Sequence, residues 1–199
     1  MKEFEKKVLL TEDEYLAIFH DSPCTTPLTI QTNYYYDTPD LRYNAQGTTL
    51  RVRKKGEHFI ATVKRHDSNS NLSVEESMRV KGEFDTNFFY GYDVVFQGAL
   101  TTERALVYKR NNVTATIDKN SYLKTTDYEL EVEYDEGCEK DAIDMLIFIA
   151  NSLNKNNRPE YVEDFIKRSE RSISKSTRFF CRKLCLDLKE GNSIEPHNK

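Results

Sequence analysis

Strict alternation of charged and apolar residues is the feature that most limits how this chain can fold. In ELEVE, residues 129–133, the acids Glu129, Glu131 and Glu133 alternate with Leu130 and Val132. Successive side chains of a β-strand point to opposite faces, so this period predicts a strand with one acidic face and one apolar face. The apolar face must pack against a core. The acidic face lies either in water or inside a polar cavity.

The same two-residue period recurs in three other short segments: EFEKK, LRVR and TVK. On strands, it would align the following sets of side chains: Glu3, Glu5 and Lys7; Arg51 and Arg53; Thr62 and Lys64. A two-residue turn at Lys55 and Gly56 would pair Arg51 with Ile60, and a four-residue loop gives that same register. Either loop puts both arginines on the face of Lys64.

A second hairpin, over residues 103–118, turns near Asn111 and Asn112. A strict two-residue turn would put Arg104 and Asp118 on opposite faces. A three-residue bulged loop would make them direct neighbours. Both arrangements remain open at this level.

The rest of the chain predicts seven or eight strands with few helices, mostly in antiparallel connections. Helices are expected from Thr11, which has Glu14 at capping-box spacing, and over 138–154 and 171–188, with helical or mixed structure over 85–100. This pattern favours an α+β domain built on a barrel or strongly curved sheet.

Net charge, the length of apolar runs and cysteine spacing restrict the partners and the location expected for this protein. The net charge of −4 gives no general attraction to nucleic acid. The charged N-terminus lacks a signal-peptide pattern and the longest apolar run is too short to span a membrane. The four cysteines include no CxxC pair. We therefore expect reduced cysteines, a cytoplasmic location and no nucleic-acid or membrane partner.

The charged faces have two interpretations. Charged faces of ordinary sheets usually point into solvent. Yet Arg51, Arg53 and Lys64 carry only positive charge, and like charges side by side repel unless an anion lies between them. The crowded acids in turn suit hard divalent cations such as Mg²⁺ or Mn²⁺. Cations for phosphate combined with acids for a metal indicate a metal–phosphate site.

Taken in order, these motifs resemble a known family. Glu3-x-Glu5-x-Lys7, NYYYDT at 33–38, LRVR at 50–53, TVK at 62–64 and ELEVE at 129–133 resemble the CYTH domain of the triphosphate tunnel metalloenzymes, in its small bacterial single-domain form. The similarity covers about residues 1–180. It implies an α+β fold with an eight-stranded antiparallel β-barrel, or tunnel, and flanking helices. We expect this domain over 1–185 and a disordered tail over 186–199.

The resemblance also implies roles for individual residues. Catalytic roles fall to Glu3, Glu5, Lys7 and Glu131. The phosphate chain would be bound by Lys7, Arg51, Arg53, Lys64, Arg104, Lys175 and Arg178. Metal ligands would be Glu3, Glu5, Glu75, Asp118, Glu129, Glu131 and Glu133. Glu76 is adjacent to Glu75 and competes for its position.

The activity so implied is Mg²⁺- or Mn²⁺-dependent removal of the terminal phosphate from a small triphosphate, most simply inorganic triphosphate, by a monomer or homodimer. Hydrolysis of nucleoside or thiamine triphosphate and adenylyl cyclase activity remain open within the same fold. Two further alternatives are a non-catalytic polyphosphate-binding module and an unrelated small-ligand barrel with solvated charged faces.

Overall fold

A computed structural model describes residues 4–22, 28–66 and 73–189. Its strands are β1 Phe4–Leu10, β2 Thr29–Asp37, β3 Thr48–Lys55, β4 His58–His66, β5 Ser73–Val80, β6 Val95–Arg110, β7 Val113–Tyr122 and β8 Thr125–Tyr134. Its helices are α1 Glu12–Asp21, α2 Arg42–Ala45, α3 Glu139–Leu153, α4 Pro159–Glu170 and α5 Lys175–Lys189. A 3₁₀ turn covers Asn87–Phe89.

The strands form one eight-stranded sheet in the order β1-β8-β7-β6-β2-β3-β4-β5. The pairings β1–β8, β2–β3, β3–β4 and β4–β5 are antiparallel. Helix α1 begins at the predicted N-cap, Thr11, whose side chain and that of Glu14 form the capping box. The predicted α+β fold, an eight-stranded antiparallel sheet with flanking helices, is confirmed.

The chain divides into two compact units. The first unit comprises the chain up to Thr29, Thr102–Ser121 and Thr126–Ser172. Its core combines the apolar faces of its strands with one side of α3 and α4, and includes Val8, Ile117, Leu130, Val132, Leu146, Ile149 and Phe165. Full burial of each such side chain contributes about 1.5–3 kcal/mol. This packing turns the acids that alternate with Leu130 and Val132 to the opposite face of β8.

The second unit comprises Ile30–Thr101, Tyr122–Thr125 and the chain from Ile173 onward. One apolar cluster joins Tyr35 and Leu100 to Phe179 and Phe180 of α5. Another covers one face of β3 and β4 and includes Leu50, Val52, Ala61 and Val63. Arg51, Arg53 and Lys64 alternate with the residues of this second cluster and so share the other face.

The predicted register of the β3–β4 hairpin is wrong. The turn residues are Gly56 and Glu57, not Lys55 and Gly56, and Arg51 lies opposite Thr62 rather than Ile60. Gly56 has φ +57°, which the first position of such a turn favours and which glycine adopts without strain. The shift is two residues along the partner strand, so each side chain stays on its predicted face.

Two other segments depart from the sequence prediction. Residues 85–100 form the 3₁₀ turn and the start of β6, and not a helix. Helix α4 was not predicted, although Pro159 at its first turn is a typical start signal. Helix α5 runs past the predicted domain end at 185, and the tail from 190 lies outside the described residues. The domain limits stay a prediction. In the part of the chain described, no helix is long and apolar enough to cross a membrane.

Candidate metal and phosphate site

The antiparallel pairing of β1 with β8 aligns the N-terminal motif with ELEVE. Glu5 lies opposite Glu133, and Lys7 lies opposite Glu131. Lys7 Nζ is 2.9 Å from Glu5 Oε1 and 3.6 Å from Glu131 Oε1. The predicted grouping of these charges on one strand face is therefore present. Glu3 lies outside the described residues.

Three acids of the first unit form the most compact part of this face. Asp118 and Glu129 are fully buried and Glu131 is 4% exposed. One carboxylate oxygen from each lies within 4.8 Å of the others. Such burial of neighbouring carboxylates is costly unless their charge is balanced.

Arg104 supplies part of that balance. Its Nε and Nη2 donate to the two oxygens of Asp118 at 2.7 Å each, and Nη2 also donates to Glu131. Nη1 is 3.7 Å from Glu133. Burial alone would lower the pKa of Arg104, but the hydrogen bond to Asp118 and the nearby carboxylates outweigh it and raise the pKa.

These contacts decide the second hairpin. Arg104 and Asp118 are direct neighbours, the arrangement that the sequence analysis linked to a three-residue bulged loop, and Asn111 in the turn between the strands has φ +49°. Thr102 donates to Asn120 at 2.7 Å in the same register. Arg104, predicted to bind phosphate, is held here by the acids.

The composition of this network fits a divalent cation. We call it the acidic network, and its members are Glu5, Lys7, Arg104, Asp118, Glu129, Glu131 and Glu133. Acidic side chains outnumber basic ones among them by five to two. Hard carboxylate oxygens at this spacing are the ligands that Mg²⁺ and Mn²⁺ prefer. Asp118, Glu129 and Glu131 are the residues best placed to hold such an ion.

A second set of predicted residues lies in the second unit, on one face of β2 to β5 and in the first turn of α5. We call it the cationic face, and its basic members are Arg51, Arg53, Lys64, Lys175 and Arg178. In the register, Arg51 lies opposite Thr62, and Lys64 lies between Thr49 and Glu75.

Four of these cations act electrostatically on the side chain of Tyr35. Its side chain is buried, at 1% exposure. Burial raises the pKa of Tyr35 overall, against the opposing charges of Arg51, Arg53, Lys175 and Arg178. The charges of these four side chains therefore all act on one buried phenol.

Glu75 and Glu76 lie on opposite faces of β5 and contact different arginines. Glu75 Oε1 is 3.5 Å from Arg51 Nη2, so Glu75 belongs to the cationic face. Glu76 Oε1 is 2.7 Å from Arg65 Nη1, on the opposite face of the hairpin. Glu75, predicted as a metal ligand, lies in the second unit, whereas the buried carboxylates lie in the first.

Helix α5 contributes the last two predicted residues. Lys175 opens the helix, after Ser174, whose hydroxyl accepts from the Thr177 backbone N–H at 3.1 Å as an N-cap. Arg178 is 7% exposed and donates to the Ile173 carbonyl at 2.7 Å. Both positions are compatible with a role in anion binding.

A model of the CYTH domain matches residues 1–158 of the 199-residue chain. The chain belongs to the CYTH family. No curated protein matches the sequence closely enough to count as a relative.

Solved structures support the same fold. A candidate adenylate cyclase from Bacillus halodurans matches with a TM-score of 0.63 and 22% identity, over 89% of this chain and 97% of its own. A candidate adenylyl cyclase from Hippeastrum, described as having a dominant triphosphatase activity, matches with a TM-score of 0.60 and 15% identity, over 76% of this chain and 88% of its own. A protein from Pyrococcus horikoshii OT3 matches with a TM-score of 0.55 and 18% identity, over 76% and 90%. At these identities the likeness concerns the fold.

The sequence analysis missed one polar residue of this CYTH protein. Asn33 lies opposite Arg53, is 1% exposed, and accepts from Arg53 Nε at 2.8 Å. It stands in the aromatic run NYYYD, which reads as core. The signal that could have found it is the strand period. Asn33 and Tyr35 are two residues apart on β2, so they share a face, and that face is the one that carries Arg51 and Arg53.

Proposed function

We propose that this protein is a divalent-metal-dependent triphosphatase that removes the terminal phosphate of inorganic triphosphate. The observation that carries the proposal is the buried group of Asp118, Glu129 and Glu131, in a CYTH chain that also has a cationic face. A module that only bound phosphate would need the cations and would gain nothing from burying three carboxylates.

The acidic network would hold the metal. We assign the ion to Asp118, Glu129 and Glu131, and we retain Glu3, Glu5, Glu75 and Glu133 as candidate additional ligands. Bound Mg²⁺ or Mn²⁺ supplies Lewis acidity that polarises a phosphoryl oxygen. Lys7 and Arg104 balance the carboxylates in this structure. We assign both to phosphate once a divalent cation balances the acids instead.

The cationic face would hold the phosphate chain. Arg51 and Arg53 offer planar guanidinium groups that match pairs of phosphate oxygens, and Lys64 adds a point charge. We assign Lys175 and Arg178 to the same anion, because their charges act on Tyr35 together with those of the arginines. Phosphoryl transfer depends mainly on positioning and on neutralising charge, which these residues provide.

Glu131 is the strongest candidate for a carboxylate that orients the attacking water. It is 4% exposed and contacts both Lys7 and Arg104. Glu3 and Glu5 stay proposed as catalytic through their share in metal binding. The assignment predicts that replacing any of the buried acids lowers the rate of the chemical step more than it weakens substrate binding.

The test is phosphate release from inorganic triphosphate, ATP and thiamine triphosphate, each with Mg²⁺, Mn²⁺ or EDTA. We expect release from inorganic triphosphate that requires metal, and a loss of about 100-fold or more in Glu129→Gln. Glu103→Gln is the matched control, because Glu103 is only partly buried, lies outside the acidic network and pairs with Lys119 at 3.7 Å.

Other outcomes would redirect the assignment. Faster release from ATP or thiamine triphosphate would keep the chemistry and change the substrate. Cyclic AMP formed from ATP would favour the cyclase activity after which two of the structural neighbours are named. Tight triphosphate binding without turnover of any substrate would overturn the triphosphatase and support a binding module.

A further inference from the structure

Two buried hydrogen-bond donors on the cationic face lack a partner. Asn33 Nδ2 and Arg51 Nε are both inaccessible to solvent, and neither has a hydrogen-bond acceptor in the described parts of the chain. Both residues belong to the second unit and occupy one face of the β2–β3 pair. A buried donor without an acceptor costs about 1–3 kcal/mol, so two of them together call for an explanation.

The orientation of the Asn33 amide follows from the hydrogen bond with Arg53. Arg53 Nε lies 2.8 Å from the Asn33 side chain and can only donate. The atom that faces it must therefore be the carbonyl oxygen, Oδ1. The NH₂ group is then fixed on the other branch of the amide, away from Arg53 Nε.

The register places these donors close together. Asn33 lies opposite Arg53. Tyr35, two residues later on β2 and on the same face, lies opposite Arg51. Asn33 and Arg51 are thus diagonal neighbours, which in an antiparallel pair are about 7–8 Å apart. One anion with several oxygens can reach donors at that spacing.

We propose that Asn33 is a phosphate-binding residue in its own right, donating from Nδ2 to an oxygen of the triphosphate chain. This inference rests on the proposed function and adds a neutral ligand to its predicted cations. A phosphate oxygen would satisfy the orphaned amide. Oδ1 would at the same time keep Arg53 oriented.

The alternative is that Asn33 acts only by positioning Arg53. A double-mutant cycle on affinity for Mg²⁺–triphosphate, measured by titration calorimetry, separates the two roles. We expect Asn33→Ala to weaken binding about tenfold, the loss typical of one hydrogen bond to a charged group. In an Arg53→Ala background, Asn33→Ala should still weaken binding by a similar factor. If it has no further effect there, Asn33 only positions Arg53 and the inference is overturned.

Asn33→Asp provides a second, isosteric variant. It keeps an oxygen for Arg53 and replaces the NH₂ donor with a negatively charged oxygen, so we expect a larger loss of affinity than with alanine. Thr32→Ala changes the adjacent residue on the opposite face and serves as the control. Melting curves without ligand check that each variant is folded.

The outcomes distinguish this inference from the proposed function. Wild-type affinity in Asn33→Asp, with weakened binding in Arg51→Ala, would overturn only the role of Asn33. Failure of the wild-type protein to bind triphosphate would overturn both. Full affinity in Asn33→Ala with normal folding would show that the orphaned amide has no ligand in the complex.

Discussion

Arg104 is the residue on which the charge balance of the acidic network depends most. It pairs with Asp118 and Glu131, both almost fully buried. Removing one partner of a buried ion pair leaves an uncompensated charge and typically costs 3–5 kcal/mol. In EDTA, we therefore expect Arg104→Ala to lower the free energy of unfolding by about 3 kcal/mol or more, measured by urea denaturation.

Metal should partly reverse that loss. A divalent cation bound by the same acids would compensate the charge that Arg104 no longer supplies, so the Arg104→Ala variant should gain more stability from Mg²⁺ or Mn²⁺ than the wild type does. Lys119→Ala, which removes an exposed pair with Glu103, should cost at most about 1 kcal/mol and show no such gain. An equal gain from metal in all three proteins would contradict the assignment of Asp118 and Glu131 to the metal.

The strand face on which a residue lies could be predicted from the sequence, but the residue that it pairs with on the neighbouring strand could not. The predicted β3–β4 register was off by two residues, yet Arg51 and Lys64 stayed on one face because the strand period is two. The choice between Glu75 and Glu76 depends on the pairing of β4 with β5, which the sequence analysis did not establish. The pairing of Arg104 with Asp118 depends on the register between β6 and β7, which the local sequence leaves open.

At the scale of elements, the packing of α5 against β6 depends on one glycine. Gly98 has φ +135°, and a Cβ at this position would lie 2.9 Å from a ring carbon of Phe179. Phe179 is fully buried, so its ring cannot move aside freely. We expect Gly98→Ala to lower the free energy of unfolding by about 2–4 kcal/mol, from backbone strain and overpacking together.

Gly82 offers a matched control for this substitution. A Cβ there would meet no atom within 4 Å, and its φ is not in the left-handed region. Gly82→Ala should therefore change the free energy of unfolding by less than about 1 kcal/mol, with either sign. Equal effects of the two alanines in urea denaturation would show that the contact with Phe179 is not tight.

Helices α1 and α4 are joined through the carboxylate of Glu14. Arg168 donates to it at 2.7 and 3.0 Å, Tyr161 donates at 2.6 Å, and the Thr11 backbone N–H donates at 2.8 Å. Burial alone would raise the pKa of Glu14, but these hydrogen bonds outweigh it and lower the pKa below its usual 4.5. A carboxylate with a lowered pKa stabilises the fold above the unfolded-state pKa, and this contribution is lost as the pH falls through the folded-state pKa.

We therefore expect the wild-type protein to lose stability below pH 4.5 more steeply than Glu14→Gln does, because the glutamine has no proton to gain. The measurement is the midpoint of urea unfolding between pH 7 and pH 3. Glu163→Gln is the control, since Glu163 pairs with Lys167 on the exposed surface of α4. Parallel pH profiles for wild type and Glu14→Gln would contradict the prediction.

Helices and strands were predictable to different degrees for physical reasons. Helix α1 carries its own start signal in the Thr11–Glu14 capping box, so its beginning was predicted correctly. Residues 85–100 are rich in aromatics but lack a clear period, and the strand β6 forms there through pairing with distant residues. Helix α4 is amphipathic around Phe165, yet the many charges around that residue obscure the pattern.

At the scale of the whole molecule, the fold was predictable because several motifs recur in a fixed order. The sequence analysis found a CYTH resemblance from alternating charges, and the family match over residues 1–158 confirms it. The division into two compact units was not predicted, because it depends on contacts between segments far apart in sequence. The predicted metal ligands are thereby split: the acids of the network belong to the first unit, and Glu75 belongs to the second.

The proposed function takes Mg²⁺ and triphosphate as one substrate complex, so the metal and the triphosphate must bind with positive coupling. Binding free energies are reciprocal, so Mg²⁺ should raise the affinity for triphosphate by the same factor as triphosphate raises the affinity for Mg²⁺. We expect this coupling to be at least about tenfold in the wild type, measured by titration calorimetry with the formation of the free Mg²⁺–triphosphate complex subtracted.

In Asp118→Asn the coupling factor should shrink toward one while metal-free triphosphate binding persists, because the cationic face is intact. In Arg51→Ala, triphosphate affinity should fall both with and without metal. Undiminished coupling in Asp118→Asn would mean that the buried carboxylates do not bind the metal that accompanies the substrate.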